Sequence, residues 1–310
     1  MFRLKLVPDQ TSFGFIGLRK IAYAISILGV LASIALFSTK GLNYGIDFQG
    51  GTMIEIATEG PADIADIRSR LSALNLGDVQ VQTFGAPNDV LIRVEQQGEA
   101  AGNDLSAVDK IKAELGDGVE YRRVEVVGPK VSGELVEAGT LAITMAIFLM
   151  LLYIWFRFEW QFGVGSVIAL AHDVLLTIGI FSLFELEFNL SIIAAILTIV
   201  GYSMNDTVIV YDRIREDLRK YKKMDIGELL NLSINGTLSR TTMTSLTTVI
   251  ALAALYIFGG EVIRGFAFAM IWGVFVGTYS SIFVAAPLLM ILGVKRDWSV
   301  GADSAAGAKP

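Results

Sequence analysis

The chain has 310 residues, 53% of them hydrophobic, with a mean hydropathy of +0.58 and a formal net charge of −6. That apolar content is above what a soluble core of this length uses, so the composition excludes an ordinary soluble globular protein and points to the membrane. Cysteine is absent and histidine occurs once, which removes disulfide frameworks, thiolate metal sites and multi-histidine zinc centres from consideration.

Residues 1–19 form a basic N-tail, with Arg3, Lys5 and Arg19, and Lys20 follows at its edge. The stretch 20–38 is the first to approach the roughly 20 apolar residues that cross a bilayer core of about 30 Å. A basic start before an apolar run also describes a cleavable signal peptide, but further spans downstream make it a retained anchor.

The segment 39–136 differs from its surroundings, carrying nine Lys/Arg against sixteen Asp/Glu. It is long enough to bury a small core of its own, and its periodicity switches in order. Thr52-Met53-Ile54-Glu55-Ile56 alternates as a strand; after Pro61, Ile64, Ile67, Leu71 and Leu74 form a helical stripe. Val79 and Val81 alternate with glutamines, and Val90, Ile92 and Val94 alternate with Arg93 and Glu95 after the turn signal 85–89. Leu105, Val108, Ile111 and Leu115 mark a second helix, with Asn103 or Asp104 as its cap, and Val119–Val127 a last strand. The order β-α-β-β-α-β is that of a ferredoxin-like α+β domain, with both helices on one face of the sheet and the other face available. The alternation breaks at Arg122-Arg123, which predicts a bulge. Gly45, Asp47, Gly50 and Gly51 lie in the connector that leaves the first span, and Gly128 and Pro129 in the one that enters the second; they are either shaped elbows or hinges that transmit helix motion.

Five more apolar stretches follow, at 137–156, 163–184, 188–211, 239–258 and 265–292, with a basic loop at 212–238 and a C-tail at 293–310. The fold class is therefore an α-helical polytopic membrane protein of six transmembrane helices with an inserted domain. Arg157, the run Arg213 to Lys223, Arg240, Lys295, Arg296 and Lys309 fall on one side together with the N-tail. By the positive-inside rule that side is cytoplasmic and both termini are too, which makes 39–136 extracytoplasmic. Tyr153, Trp155 and Trp160 sit where an aromatic belt would at the inner boundary.

Ionisable residues at bilayer depth are costly and usually functional. His172 and Asp173 fall in the third span, Asn205 and Asp206 in the inner part of the fourth, and Arg240 at the inner edge of the fifth. A structural ion pair for Asp206, boundary anchoring for Arg240 and a packed core role for His172 are the plain alternatives. No P-loop, nucleophile elbow or metal-ligand spacing is present, so an enzyme is not expected; carboxylates opposite an arginine suggest ion-coupled movement.

Several segments together carry a family resemblance: Gly45-Ile46-Asp47-Phe48-Gln49-Gly50-Gly51, Val127-Gly128-Pro129-Lys130-Val131-Ser132, Ala171-His172-Asp173, Gly201-Tyr202-Ser203-Met204-Asn205-Asp206-Thr207, Tyr211 to Glu216, Ser239-Arg240-Thr241 and Phe258-Gly259-Gly260. From about residue 15 to 293 the chain resembles the SecF family, the smaller half of the bacterial SecD/SecF protein-export pair in the resistance-nodulation-division superfamily. The resemblance implies an inner-membrane accessory of the Sec translocase that uses the proton-motive force in late stages of preprotein export. It implies a proton pathway through Asp206 and Arg240, with His172, Asp173 and Asn205 as a possible secondary relay. The partners it implies are SecD, the Sec translocation channel, unfolded preproteins on the periplasmic side and membrane lipid, without nucleic acid, metal or organic cofactor. Sodium is the alternative coupling ion. A half-transporter moving lipid or small molecules, and a non-catalytic assembly scaffold, are the rival readings.

Overall fold

A computed structural model of the chain describes residues 8, 11–94 and 101–294; 1–7, 9 and 10 of the N-tail and 295–310 of the C-tail assigned from sequence lie outside them. Among the described residues, six helices are long and apolar enough to cross a membrane. They begin with α1 (Arg19–Lys40), α5 (Pro129–Arg157), α6 (Trp160–Phe184), α7 (Leu190–Lys220) and α8 (Ile226–Phe258). The sixth consists of α9 (Glu261–Ser280), a π-helical segment (Ser281–Ala285) and α10 (Ala286–Ile291). Pro287 has no N–H to offer the carbonyl one turn back, which accounts for the local departure from α-helical bonding. Contacts divide the chain into two compact units, one made of Asn43–Thr144 with Glu187–Ile193, the other of the remainder.

In the helical unit, the segment expected as a basic loop is largely helical. α7 runs on to Lys220, and α8 starts at Ile226, capped by Asp225, whose carboxylate accepts from the Gly227 and Glu228 amides. Polarity ended the apolar pattern there but not the helices, because Arg213 pairs with the fully buried Asp217 at 3.1 Å and Ser233 of α8 donates to the same carboxylate at 2.8 Å. Leu218, Leu229, Leu230 and Ile234 are buried beside this clasp, in one cluster with Phe162 and Tyr211. Asn231 and Asn235 on α8 accept the backbone N–H groups of Ile16 and Phe13, which ties the approach to α1 onto α8. The Thr-rich start of the fifth span is accommodated because Thr244, Thr247 and Thr248 each donate to a carbonyl four residues back.

The second unit carries β2 (Gly51–Thr58), α3 (Ile64–Ser72), β3 (Val79–Thr83), β4 (Asp89–Val94), α4 (Ala101–Leu115) and β5 (Val119–Val127) in the expected order. The four strands form one antiparallel sheet in the order β3-β4-β2-β5. Ile54, Ile56, Val81, Val90 and Ile92 on one face bury against Ile67 and Leu71 of α3 and Val108 and Ile111 of α4. Glu55 pairs with Arg123 and Ile56 with Tyr121, so Arg122 is the extra residue of the predicted bulge. The opposite face, expected to be free, is partly covered: Met53 and Leu91 are buried with Ile46 of the short helix α2 (Ile46–Gln49). It is also laced with charge, since Arg93 reaches Glu187 at 2.9 Å and Arg123 reaches Glu55 at 3.3 Å.

Glu55 is 8% exposed, and its burial raises the carboxyl above its usual range, with the Arg123 guanidinium working in the opposite direction. A carboxyl raised on folding favours the fold below its unfolded pKa of about 4.5, and that contribution is lost as pH rises through the folded value. Glu55 therefore contributes less to the fold at neutral pH than at low pH. Glu55→Gln is expected to slow amide exchange across β2, β4 and β5 at pH 7.5 by roughly two- to ten-fold, and to lose that advantage at pH 4. Faster exchange at pH 7.5 would contradict this sign.

Candidate functional site

The glycine connector after α1 is a folded element. β1 (Asn43–Tyr44) pairs in parallel with β6 (Glu187–Phe188), and α2 follows, ended by Gly50 at φ 71° and Gly51 at φ 106°. Only glycine takes these two left-handed positions readily. Asp47 accepts the Leu190 amide at 2.9 Å and Asn189 accepts those of Ser191 and Ile192, so two side chains satisfy the first orphan donors of α7. A side chain on Gly45 would meet Glu187 Oε1 at 2.8 Å. At the other connector Pro129 is the first residue of α5, where its missing N–H costs nothing, and a Cβ on Gly128 would meet open space.

The intramembrane residues fall into two carboxylate clusters. Asp173 on α6 is fully buried. One oxygen takes hydrogen bonds from Ser203 of α7 at 2.5 Å and Ser280 of α9 at 2.8 Å, while the other lies 2.9 Å from His172 Nδ1. The imidazole stacks on Tyr279, and Tyr279 donates to the Ala22 carbonyl of α1. Asp206, one turn beyond Ser203 and 1% exposed, accepts from Thr278 of α9 at 3.3 Å. The Thr278 hydroxyl lies 2.8 Å from that of Ser245 on α8, which accepts from Tyr202 at 3.4 Å. Thr207 and Ser281 meet at 2.9 Å just beyond.

Arg240 is on α8 as expected, but it is exposed and forms no ion pair with Asp206; its guanidinium acts on that carboxylate only at Coulombic range. Asn205 is exposed and makes no side-chain hydrogen bond to either cluster. Sequence reasoning thus named the acidic residues and missed their hydroxyl donors, Ser203, Thr278 and Ser280. It also missed the close packing that brings them there. Gly273 and Gly277, four apart on α9, lie against Ile199 and Ser203 of α7, and a Cβ on Gly277 would meet Ser203 Cβ at 2.9 Å. The spacing Gly273-x-x-x-Gly277 is a readable signal of such a contact.

The arrangement can hold two carboxyl groups out of water, each reached by hydroxyls that both donate and accept. Such groups can take up, keep and pass protons without a metal or nucleophile. A multi-pass helical bundle with shielded carboxylates between its helices, in a chain that also carries a four-stranded sheet unit, defines the class of the protein. Residues 107–295 match the family described as "Protein export membrane protein SecD/SecF, C-terminal", and residues 35–62 match the "SecD/SecF GG Motif". The protein translocase subunit SecF of Vibrio alginolyticus is 45% identical over 94% of this chain and 94% of its own length. That of Rickettsia bellii is 45% identical over 96% and 98%. The crystal structure of SecDF, a translocon-associated membrane protein from Thermus thermophilus, aligns with a TM-score of 0.84 at 36% identity, covering 94% of this chain. A super-membrane-facing form of SecDF aligns with a TM-score of 0.68 at 37% identity over 99% of this chain. This chain spans 40% and 41% of those two SecDF chains. The chain belongs to the SecF family of protein-export membrane proteins.

Proposed function

We propose that this chain is the SecF half of a SecD/SecF complex in the bacterial inner membrane, and that it uses the proton-motive force to drive late stages of preprotein export. The observation that carries the reading is Asp206, buried between helices with a single hydroxyl donor and no ion pair, a state poised to exchange a proton. Asp206 and Arg240 are the proton pathway, and the His172–Asp173 cluster is the secondary relay. Both termini are cytoplasmic, which sets the 39–136 domain outside. Its strand order supports the ferredoxin-like reading, and its two glycine connectors act as the elements through which helix movement reaches it.

A SecD partner is supported by an uncovered stripe on α7. Ala194, Thr198, Gly201 and Asn205 recur at helical spacing on its exposed side, and a Cβ on Gly201 would meet open space. Small and polar residues on a helix face suit contact with another helix better than contact with lipid. Superfamily transporters place two six-helix repeats face to face, and this chain supplies one.

The test is export of an unfolded precursor from membrane vesicles with the proton and sodium gradients set independently. Proton-gradient stimulation that depends on this chain, together with its recovery with a SecD-like protein after mild-detergent extraction, is the expected result. Stimulation by the sodium gradient alone would reassign the ion, and full export by the isolated monomer would overturn the partnership.

A further inference from the structure

Where α5 ends and α7 emerges, Arg157, Asp212, Arg215, Glu216, Arg219 and Lys220 line a cavity of about 600 Å³. Four cations face two carboxylates there, with Glu159 a third at Coulombic range of Arg215 and Arg219, so the cavity keeps net positive charge. One of its carboxylates, Asp212, is already engaged, at 2.9 Å and 3.0 Å from one Arg157 nitrogen and 3.7 Å from Arg215. Phe158 holds the two guanidinium groups in place, with Arg157 5.0 Å and Arg215 5.5 Å from its ring centre. Phe158 is itself fixed, 7% exposed and in contact with the rings of Phe162 and Tyr211. The cationic wall is thus preformed.

A second observation gives its depth. Trp155, Phe156 and Trp160 are 78%, 81% and 60% exposed, and they surround Arg157 at the turn between two membrane-length helices. Exposed aromatic side chains at such a turn lie at the level of lipid headgroups. A cavity lined by arginines at that level meets phosphodiester oxygens, and guanidinium forks match their geometry.

We propose that this cavity binds the headgroup phosphate of an anionic glycerophospholipid, a site beyond the proton pathway and independent of it. Phosphate neutralises the excess charge that Asp212, Glu216 and Glu159 leave, and the acyl chains run beside the exposed face of Trp155 and Phe156. The bound lipid would fix the end of α7 relative to the α5–α6 turn.

The experiment is native mass spectrometry of the full chain with whatever subunits co-purify, from micelles supplied with equal phosphatidylglycerol and phosphatidylcholine. Retention of phosphatidylglycerol at least about ten-fold above phosphatidylcholine is expected, given roughly five-fold per basic residue near an anionic surface. The double substitution Arg157→Gln with Arg215→Gln should reduce that preference by about ten-fold or more. Arg219→Gln with Lys220→Gln, at exposed positions outside the buried cluster, should reduce it by about three-fold or more. Equal retention of both lipids, or a preference unchanged in the Arg219/Lys220 variant, would overturn the proposal. So would displacement of the lipid by inorganic phosphate at equal concentration, which would make this a free-anion site, or photo-crosslinking from position 157 to an acidic protein segment instead of lipid.

Discussion

Asp206→Asn is expected to accumulate normally, to assemble with SecD, and to lose the stimulation of export by the proton gradient. The amide oxygen of asparagine can still accept the Thr278 hydroxyl, so the local packing survives and only the exchangeable proton is removed. A carboxyl group kept from water favours its neutral form, and a cation brought close restores the charged one. On the proposed function, Asp206 and Arg240 couple proton affinity to helix position by standing apart in one state and together in another. The structure holds them apart. The gradient offers about 2.3 kcal/mol per charge per 100 mV, which corresponds to a factor of roughly 50 in an equilibrium, and that factor bounds the loss per proton. Arg240→Ala should lose the same stimulation although it breaks no ion pair with Asp206 in the state described. The double variant should be little worse than either single one, because each removes the same coupling. The measurement is initial export rate in vesicles against gradient magnitude, with abundance checked by immunoblot. Normal gradient dependence in Asp206→Asn would leave Asp206 as packing and move the proton path to His172 and Asp173.

Much of this was legible without coordinates, for reasons that differ by element. The membrane helices announce themselves because hydrocarbon demands long apolar runs, and the sheet order follows from periodicity switching between two and about 3.6. The break at Arg122-Arg123 was readable because a bulge shifts the alternation by one residue. Helix ends at the basic segment were not. Hydropathy reports where the bilayer ends, whereas α7 and α8 continue on the Arg213–Asp217–Ser233 clasp and the Asp225 cap. Asp206 and Arg240 were found because charge at membrane depth is rare. Sequence places such residues by depth, but rotation about the helix axis decides contact, and Arg240 stands at an exposed position with no ion pair to Asp206. Asp173 was visible as a charge, but its donors come from two other helices, and no linear pattern joins Ser203 to Ser280.

Gly277 is the position at which a single methyl group should separate packing from chemistry. A Cβ there would stand 2.9 Å from Ser203 Cβ and 3.2 Å from Ser203 Cα, atoms that cannot turn aside as the end of a long side chain can. Gly277→Ala must therefore push α9 and α7 apart by a few tenths of an ångström, at the level where Ser203 donates to Asp173 at 2.5 Å. Overpacking of this kind costs about 1–3 kcal/mol, and the hydrogen bond beside it is the first contact to lengthen. The expected outcome is a protein of near-normal abundance whose gradient-stimulated export falls roughly five-fold or more. Gly277→Leu, with a branched side chain in the same space, should fail to accumulate. Gly133→Ala on α5 is the control, since a Cβ there meets nothing within 4 Å in this chain, and it should accumulate as the parent does. Abundance, thermal stability in detergent and export rate, measured on all three, distinguish the cases. If Gly277→Ala matched the parent in export rate, the α7–α9 contact would be slack, and the Ser203–Asp173 hydrogen bond would not depend on it.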